Sequence, residues 1–508
     1  MGLGASRNHS CPHQRVPGKT YRNPGDHIPG FRTATALIWP VKDILYSVQK
    51  VRVGDQHMNP EISKAIQTKM LAGGVASATI DAFLAAVEKV AKGERGQIPE
   101  STIEPVAELP SLESLPVADA GADGLLNQLA VIKLNGGLGT GMGLEQAKSL
   151  IRVKGQDTFL DFIAKQILLL RTRCGAPKLA FYLMDSFSTQ ADTLAHLKKY
   201  PELAVDGELD FLQSKVPKLD AKTLLPVNWA ASPEMEWCPP GHGDLYPSLL
   251  GCGLLDKFLR NGIKFLFVSN SDNLGATVDL RLLNHFAASG NSFLMEVATR
   301  TAADRKGGHL ARRREDGRLL LRESAQCPAA DEAQFQDITR HQFFNTNNLW
   351  IRLDHLKAEL EKRGGVLPLA LITNSKTVDP RDAASPKVIQ IESAMGAAIE
   401  CFTKANAVLV PRSRFAPVKT TSDLLALRSD AYRITEDYLL VLDESRHGQP
   451  PVIDLDSKYY KLLADFEAAF PHGAPSLVKC DSLKVIGKKI FPANLVLQGK
   501  VEFSEPAH

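Results

Sequence analysis

The stretch Ala130–Gly143, AVIKLNGGLGTGMG, decides the fold. Its first five residues are apolar but for Lys133 and read as a short buried strand. The strand breaks at once into Asn135 and a run of glycines. Glycine lets the backbone come close to a ligand and adopt positive φ. Successive N–H groups of such a turn point at an anion without competing side chains. The spacing matches neither G-x-x-x-x-G-K-[ST] nor G-x-G-x-x-G, so a Walker ATPase and a dinucleotide fingerprint are both set aside.

Working outward, strands and helices alternate. A helix is predicted over Thr158–Leu170, a strand over Lys178–Met184 and a helix over Ser188–Lys199. A strand follows at Ile263–Ser269, a helix at Val278–Ala288 and a strand at Ser292–Ala298. This order predicts an α/β fold with a mostly parallel sheet covered on both faces. Ligands on such sheets lie beyond the carboxyl ends of the strands. The loops after Leu134, Met184 and Ser269 are therefore where chemistry is expected.

Upstream, apolar residues recur at helical spacing from Pro60 to Ala91, and Gly73-Gly74 splits them into a helix pair. Pro99–Gly124 is acidic and Pro-rich, and reads as a linker or loose wrapping segment. Residues 1–57 carry many Pro, Gly, Arg and His and show little periodicity, so a disordered extension is expected. The tail, Cys480–Phe503, alternates β-formers with glycine, as in a turn or two of a β-solenoid or a small hairpin.

A chain of 508 residues exceeds what one core supports, and two to four domains are expected. With 44% hydrophobic and 23% charged residues it is neither a disordered nor a collagen-like chain. A net charge of +3 argues against gripping nucleic acid or an acidic membrane. No uncharged apolar stretch is long enough to cross a bilayer. Seven scattered cysteines without a C-x-x-C pair suit a reducing compartment, the cytoplasm, and give no zinc or disulfide framework.

Several segments carry chemistry. Lys148 follows the glycine turn, an order that suits a nucleoside triphosphate. WCPPGHGDLYPSL, from Trp237, presents His242 between Gly241 and Gly243 on a proline-stiffened loop. FVSNSDNLGATVD, from Phe267, puts Asp272 just past a buried strand, where a carboxylate can meet a metal on a phosphate. Asn270 and Asn273 flank it, and Thr277 is the expected cap of the next helix. HQFFNTNNLWI, from His341, sets three asparagines in a strand-like stretch, suited to a polyhydroxylated ligand or to a turn. ADRKGGHL and ESAQCP place Gly308 and Glu323 near strand ends. PRSRFAPVKTTSDLL carries Lys419 before a helix that Thr421 or Ser422 could cap.

Together these segments, with LMDSF, FLQSKVPKL and ESAMGAAI, resemble the UTP–glucose-1-phosphate uridylyltransferase (UDP-glucose pyrophosphorylase) family over roughly Ala130–Tyr432. The resemblance implies a nucleotidyltransferase, Rossmann-like mixed sheet flanked by helices, a helical N-terminal segment and a short β-solenoid-like C-terminal part. The matching division is residues 1–57 extension, 58–125 helices and acidic linker, 126–435 catalytic domain, and 436–508 C-terminal segment. It implies UTP and glucose 1-phosphate as substrates, Mg2+ as cofactor, and no nucleic acid or membrane partner. Leu134, Asn135, Gly136 and Gly137 would meet uridine and phosphates, and Lys148 the triphosphate. Gln213 would read uracil with its amide, and Gly241 would abut the base. His242 and Asn270 would approach the sugar phosphate, and Gly308, Glu323 and Asn347 the glucose. Asp272 would ligate the metal. Lys148 and Lys419 would neutralise charge in the transition state.

The sequence departs from the family's pattern in three places. LEQAKSLI stands where the family usually has Gly-x-Pro-Lys, although Lys148 is kept. The β-repeat at the C-terminus is short, so a monomer or small homo-oligomer is expected. The first 57 residues have no counterpart. Two rival readings are a UDP-N-acetylhexosamine or broad UDP-sugar pyrophosphorylase, and an inactive UDP-sugar-binding protein. Gly141 and Met142 follow Thr140 where the first rival usually has arginine, and Lys148, Asp272 and Lys419 speak against the second.

Overall fold

The computed structural model describes residues 59–504 apart from 95, 118–121, 381 and 383. The expectation for residues 1–57 lies outside the described residues. Helix α1 (Pro60–Ala72) starts where Asn59 accepts the Glu61 N–H at 3.0 Å and Pro60 presets the first turn. Helix α2 (Ser77–Ala91) follows, and the Gly73-Gly74 break falls between them as expected. Ile66, Met70, Ile80, Phe83, Val87 and Val90 pack together and onto Val216, Cys238, Leu371 and Ile391. The helix pair thus leans on short strands outside the central sheet.

A ten-stranded sheet forms the centre. Its strands are β1 (Ile103–Pro105), β2 (Leu129–Leu134), β3 (Ala180–Asp185), β4 (Asp210–Leu212) and β5 (Phe265–Asn270). The rest are β6 (Phe293–Thr299), β7 (His309–Arg313), β8 (Leu319–Arg322), β9 (Phe343–Arg352) and β10 (Ala405–Leu409). The order runs β1-β7-β9-β5-β2-β3-β4, with β6 joining β9 to β10 and β8 paired to β7. Strands β5, β2, β3 and β4 are parallel, and β9 runs antiparallel to β5. The sheet is therefore mixed.

Helices cover both faces. In β2, Val131 faces helix α3 (Phe159–Arg173) and its Phe159, Phe162 and Ile163. Ala130 and Ile132 face the other core, with Tyr246, Leu249, Leu255 and Phe258. This alternation is the period of two of a strand buried on both sides. Each such large apolar side chain contributes about 1.5–3 kcal/mol by leaving water.

The acidic segment is not a loose linker throughout. Ile103–Pro105 form edge strand β1, antiparallel to β7. Glu100 accepts from Arg322 and Arg340, each at 2.7 Å, and from His341 at 3.0 Å. Burial works against this carboxylate, but those partners hold it below its usual range. The acidic stretch complements the arginine-rich β7–β8 hairpin, a pairing that no local pattern announces. In the tail, strands β11 (Val452–Leu455), β12 (Ser476–Val485) and β13 (Val496–Phe503) form a sheet. Both pairings are parallel, so a hairpin is excluded. Among the described residues no helix is long and apolar enough to cross a membrane.

Candidate active site

The ends of β2, β3 and β5 are tied by one side chain. Asn135 donates from Nδ2 to Asp185 Oδ1 at 2.6 Å and to Thr193 Oγ1 at 2.9 Å. Its Oδ1 accepts from Ser271 Oγ at 3.1 Å. The Asn135 amide is thus spent inward, and what the turn offers a ligand is main chain. Burial pushes the Asp185 carboxyl up to about 6, against the hydrogen bonds it accepts.

Beyond the glycine turn the chain folds back so that the Lys148 N–H meets the Gly137 carbonyl at 3.2 Å. Lys148 Nζ then lies 2.6 Å from Asp272 Oδ2. The other oxygen, Asp272 Oδ1, is buried without a hydrogen-bond partner among the described residues. The Val418 N–H donates to the Asp272 carbonyl at 3.2 Å, which brings exposed Lys419 beside this loop. Thr420, not Thr421 or Ser422, caps the following helix, α4 (Thr421–Arg428 in the chain), by a reciprocal capping box with Asp423. Likewise Asp279, not Thr277, caps the helix Leu280–Ser289. A carboxylate reaches two first-turn N–H groups there, leaving Asp272 free of any capping duty.

Beneath this loop lie buried charges that sequence reasoning missed. Arg414 makes a two-pronged pair with Glu296, both contacts at 2.7 Å. Glu296 also accepts from Trp350 Nε1 at 2.9 Å and Asn348 Nδ2 at 3.0 Å. The Arg414 carbonyl accepts from Asn273 Nδ2 at 3.0 Å, and Asn273 Oδ1 accepts from the Ala416 N–H at 3.0 Å. The Lys419 segment is therefore stitched to the Asp272 loop. Lys133 donates to Ser269 Oγ at 2.8 Å and to the Ala276 carbonyl at 2.6 Å. Burial, and then the charge of Arg414, push its ammonium down to about 7. A lysine inside an otherwise apolar strand was the available signal.

Gln213 and Gly241 also meet. Gln213 Nε2 donates to the Gly241 carbonyl at 2.9 Å. Its Oε1 lies against Gly136, where any side chain would collide with it. Gly241 has φ +81°, and a Cβ there would sit 2.5 Å from the Ser393 carbonyl oxygen. Only glycine fits that corner without strain. His242 Nδ1 accepts from the Met395 N–H at 3.0 Å, which leaves the proton on Nε2. Burial pushes the imidazole down to about 4, so it is a neutral donor near pH 7.

The Glu323 carboxylate lies over Gly308, where a side chain would displace it. Burial pushes Glu323 up, and the charge of Lys419 opposes that shift. Asn345 Nδ2 donates to Asn347 Oδ1 at 2.7 Å, and Asn347 holds φ +59°. Glu296 pairs with Asn348 and Val297 with Asn345, so Thr346 and Asn347 bulge from β9. A Cβ on Gly396 would lie 3.0 Å from Asn345 Nδ2, and Gly396 follows Met395, the partner of His242. Asn270 ends β5, two residues before Asp272. The expected residues thus join into one connected rim.

Comparison with known proteins agrees. The profile of a family described as UTP--glucose-1-phosphate uridylyltransferase matches residues 80–498. The enzyme of that name from Saccharomyces cerevisiae is 44% identical over 377 residues, 74% of each chain. The one from Solanum tuberosum is 42% identical over 381 residues, 74% of this chain and 77% of its own. A mutant UDP-glucose pyrophosphorylase from Leishmania major, in complex with UDP-glucose, superposes with a TM-score of 0.83 at 51% identity. That match covers 88% of this chain and 95% of the Leishmania chain. The chain belongs to the UTP–glucose-1-phosphate uridylyltransferase family.

Proposed function

We propose that the chain transfers the uridylyl group of UTP to glucose 1-phosphate, giving UDP-glucose and pyrophosphate. A phosphate oxygen of the sugar attacks the α-phosphorus in line. The bond from that phosphorus to the bridging oxygen breaks, and pyrophosphate leaves with the electron pair. No protein nucleophile is needed, only positioning and charge neutralisation. The observation that carries this reading is the Lys148–Asp272 pair beside the glycine turn, with Lys419 alongside.

In this reading the turn's amides and Lys148 hold the triphosphate. Lys419 meets the charge that grows on the α-phosphoryl oxygens and on the leaving group. His242 donates from Nε2 to the sugar phosphate, being neutral and unsuited to act as its base at pH 7. Glu323 accepts from hexose hydroxyls, and Asn347 offers its unspent Nδ2. Magnesium belongs to the proposal, because Asp272 offers a buried oxygen without a partner. No group of three or more His, Cys, Asp or Glu gathers for a metal among the described residues, so phosphates would supply the remaining ligands. Such an ion, when bound, offsets phosphate charge.

Purified protein with UTP, magnesium and a panel of sugar 1-phosphates tests this by pyrophosphate release. Glucose 1-phosphate is the expected substrate, and EDTA should abolish turnover. Equal rates with N-acetylglucosamine 1-phosphate would favour the broader enzyme. UDP-glucose binding without any turnover would favour a binding protein. A monomer or small homo-oligomer working in the cytoplasm completes the proposal. The free thiols Cys238, Cys252, Cys327, Cys401 and Cys480 support a reducing compartment.

Gln213 is proposed to read uracil, since its amide supplies both a donor and an acceptor. Gln213→Ala should narrow the UTP-over-CTP preference in kcat/KM by roughly 10-fold, the cost of one neutral hydrogen bond. An intact preference would place base reading elsewhere.

A further inference from the structure

Helices α1 and α2 supply no residue to the chemistry proposed above, yet α2 reaches the base-reading loop. Thr79, buried in its first turn, places Oγ1 2.7 Å from Ser214 Oγ. Ser214 directly follows Gln213. The Ser214 N–H donates to Asp244 Oδ2 at 2.7 Å, and Ser248 Oγ donates to the same oxygen at 2.6 Å. The Asp244 N–H in turn donates to the Gly241 carbonyl at 3.2 Å. Gln213 and Gly241 are therefore joined twice, once directly and once through Ser214 and Asp244. The second link ends on a hydroxyl of α2.

Phe83 and Val87 of α2 pack with Val216, two residues past Ser214, but the packing there is incomplete. A cavity of about 170 Å³ lies between α2 and these loops, lined by Thr79, Phe83, Gly243, Asp244, Tyr246 and Leu369. Where a void interrupts packing, hydrogen bonds carry more of the positioning. We infer that Thr79, through Ser214 and Asp244, is a positioning residue that sets how Gln213 meets the base. Nucleotide discrimination is then read in part through the N-terminal helix. This inference rests on the proposal that Gln213 reads uracil.

Thr79→Val removes the hydroxyl and keeps the shape, and Thr79→Ser restores the hydroxyl. Steady-state kcat/KM for UTP and for CTP should show the UTP preference falling roughly 5-fold in Thr79→Val, the scale of one buried hydrogen bond. The fall should lie in the KM for UTP, with kcat within about 2-fold, and Thr79→Ser should keep the preference. Ser214→Ala should act alike, and the double variant should fall no further than either single, as residues sharing one interaction do. Should Gln213→Ala narrow the preference while Thr79→Val only lowers the melting temperature, the coupling through α2 is refuted. Should Gln213→Ala itself leave the preference intact, the base-reading proposal fails first and this inference with it.

Discussion

Lys419→Ala is expected to lower kcat about 10²–10³-fold while the Kd for UDP-glucose changes only severalfold, the signature of a charge that acts mainly in the transition state. The backbone argues for this role. The Val418 N–H is fixed to the Asp272 carbonyl, and Thr420 opens a capping box with Asp423. Position 419 is held from both sides while its side chain stays exposed. Its charge also opposes the burial-driven rise of the Glu323 pKa, so its field reaches that carboxylate. Single-turnover rates and a calorimetric titration of UDP-glucose separate the two effects. An unchanged kcat would remove Lys419 from the mechanism.

The second large effect is on stability. Glu296→Ala should cost about 3–5 kcal/mol, because it strands the buried Arg414 guanidinium without its counter-charge. Glu296 is fully buried, Trp350 would lose its acceptor, and Asn348 Nδ2 would keep only the Arg414 carbonyl at 3.3 Å. The damage should spread to the site, since the Arg414 carbonyl anchors Asn273 beside Asp272. Urea unfolding followed by tryptophan fluorescence measures the loss. Glu296→Ala combined with Arg414→Met should recover part of it, because no charge is then left buried. A single-variant cost below about 1 kcal/mol would mean that the pair adds little beyond what it costs to bury.

The sequence made some of this legible. The apolar run into Asn135-Gly136-Gly137 marked the central strand, because the glycines end it at a length too short for a helix. The strand–helix order placed the site loops for the same local reason. The parts that stayed hidden depend on distant partners. Nothing in PESTIEP shows that Ile103 will pair with Arg313, or that Glu100 will meet three basic side chains. Asn135 was expected at the nucleotide, but its amide is consumed by Asp185 and Thr193, which only the folded sheet brings near. The cap assignments slipped by one or two residues, since several neighbouring Thr, Ser and Asp are chemically equal candidates. Glu296, Arg414 and Asp244 left no local signal, as a charge in sequence looks alike whether it ends inside or outside.

The bulge in β9 bears on how this site can be redesigned. Asn345 and Asn348 flank it, and just beyond, Leu349 and Trp350 enter opposite cores. The bulge sets the phase between them. Trimming one residue there to reshape the hexose end would rotate everything downstream by half a period, exchanging the faces taken by leucine and tryptophan. Side chains along this stretch can be swapped in place, but an insertion or deletion of an odd number of residues exchanges the faces, so grafts from relatives must keep the phase.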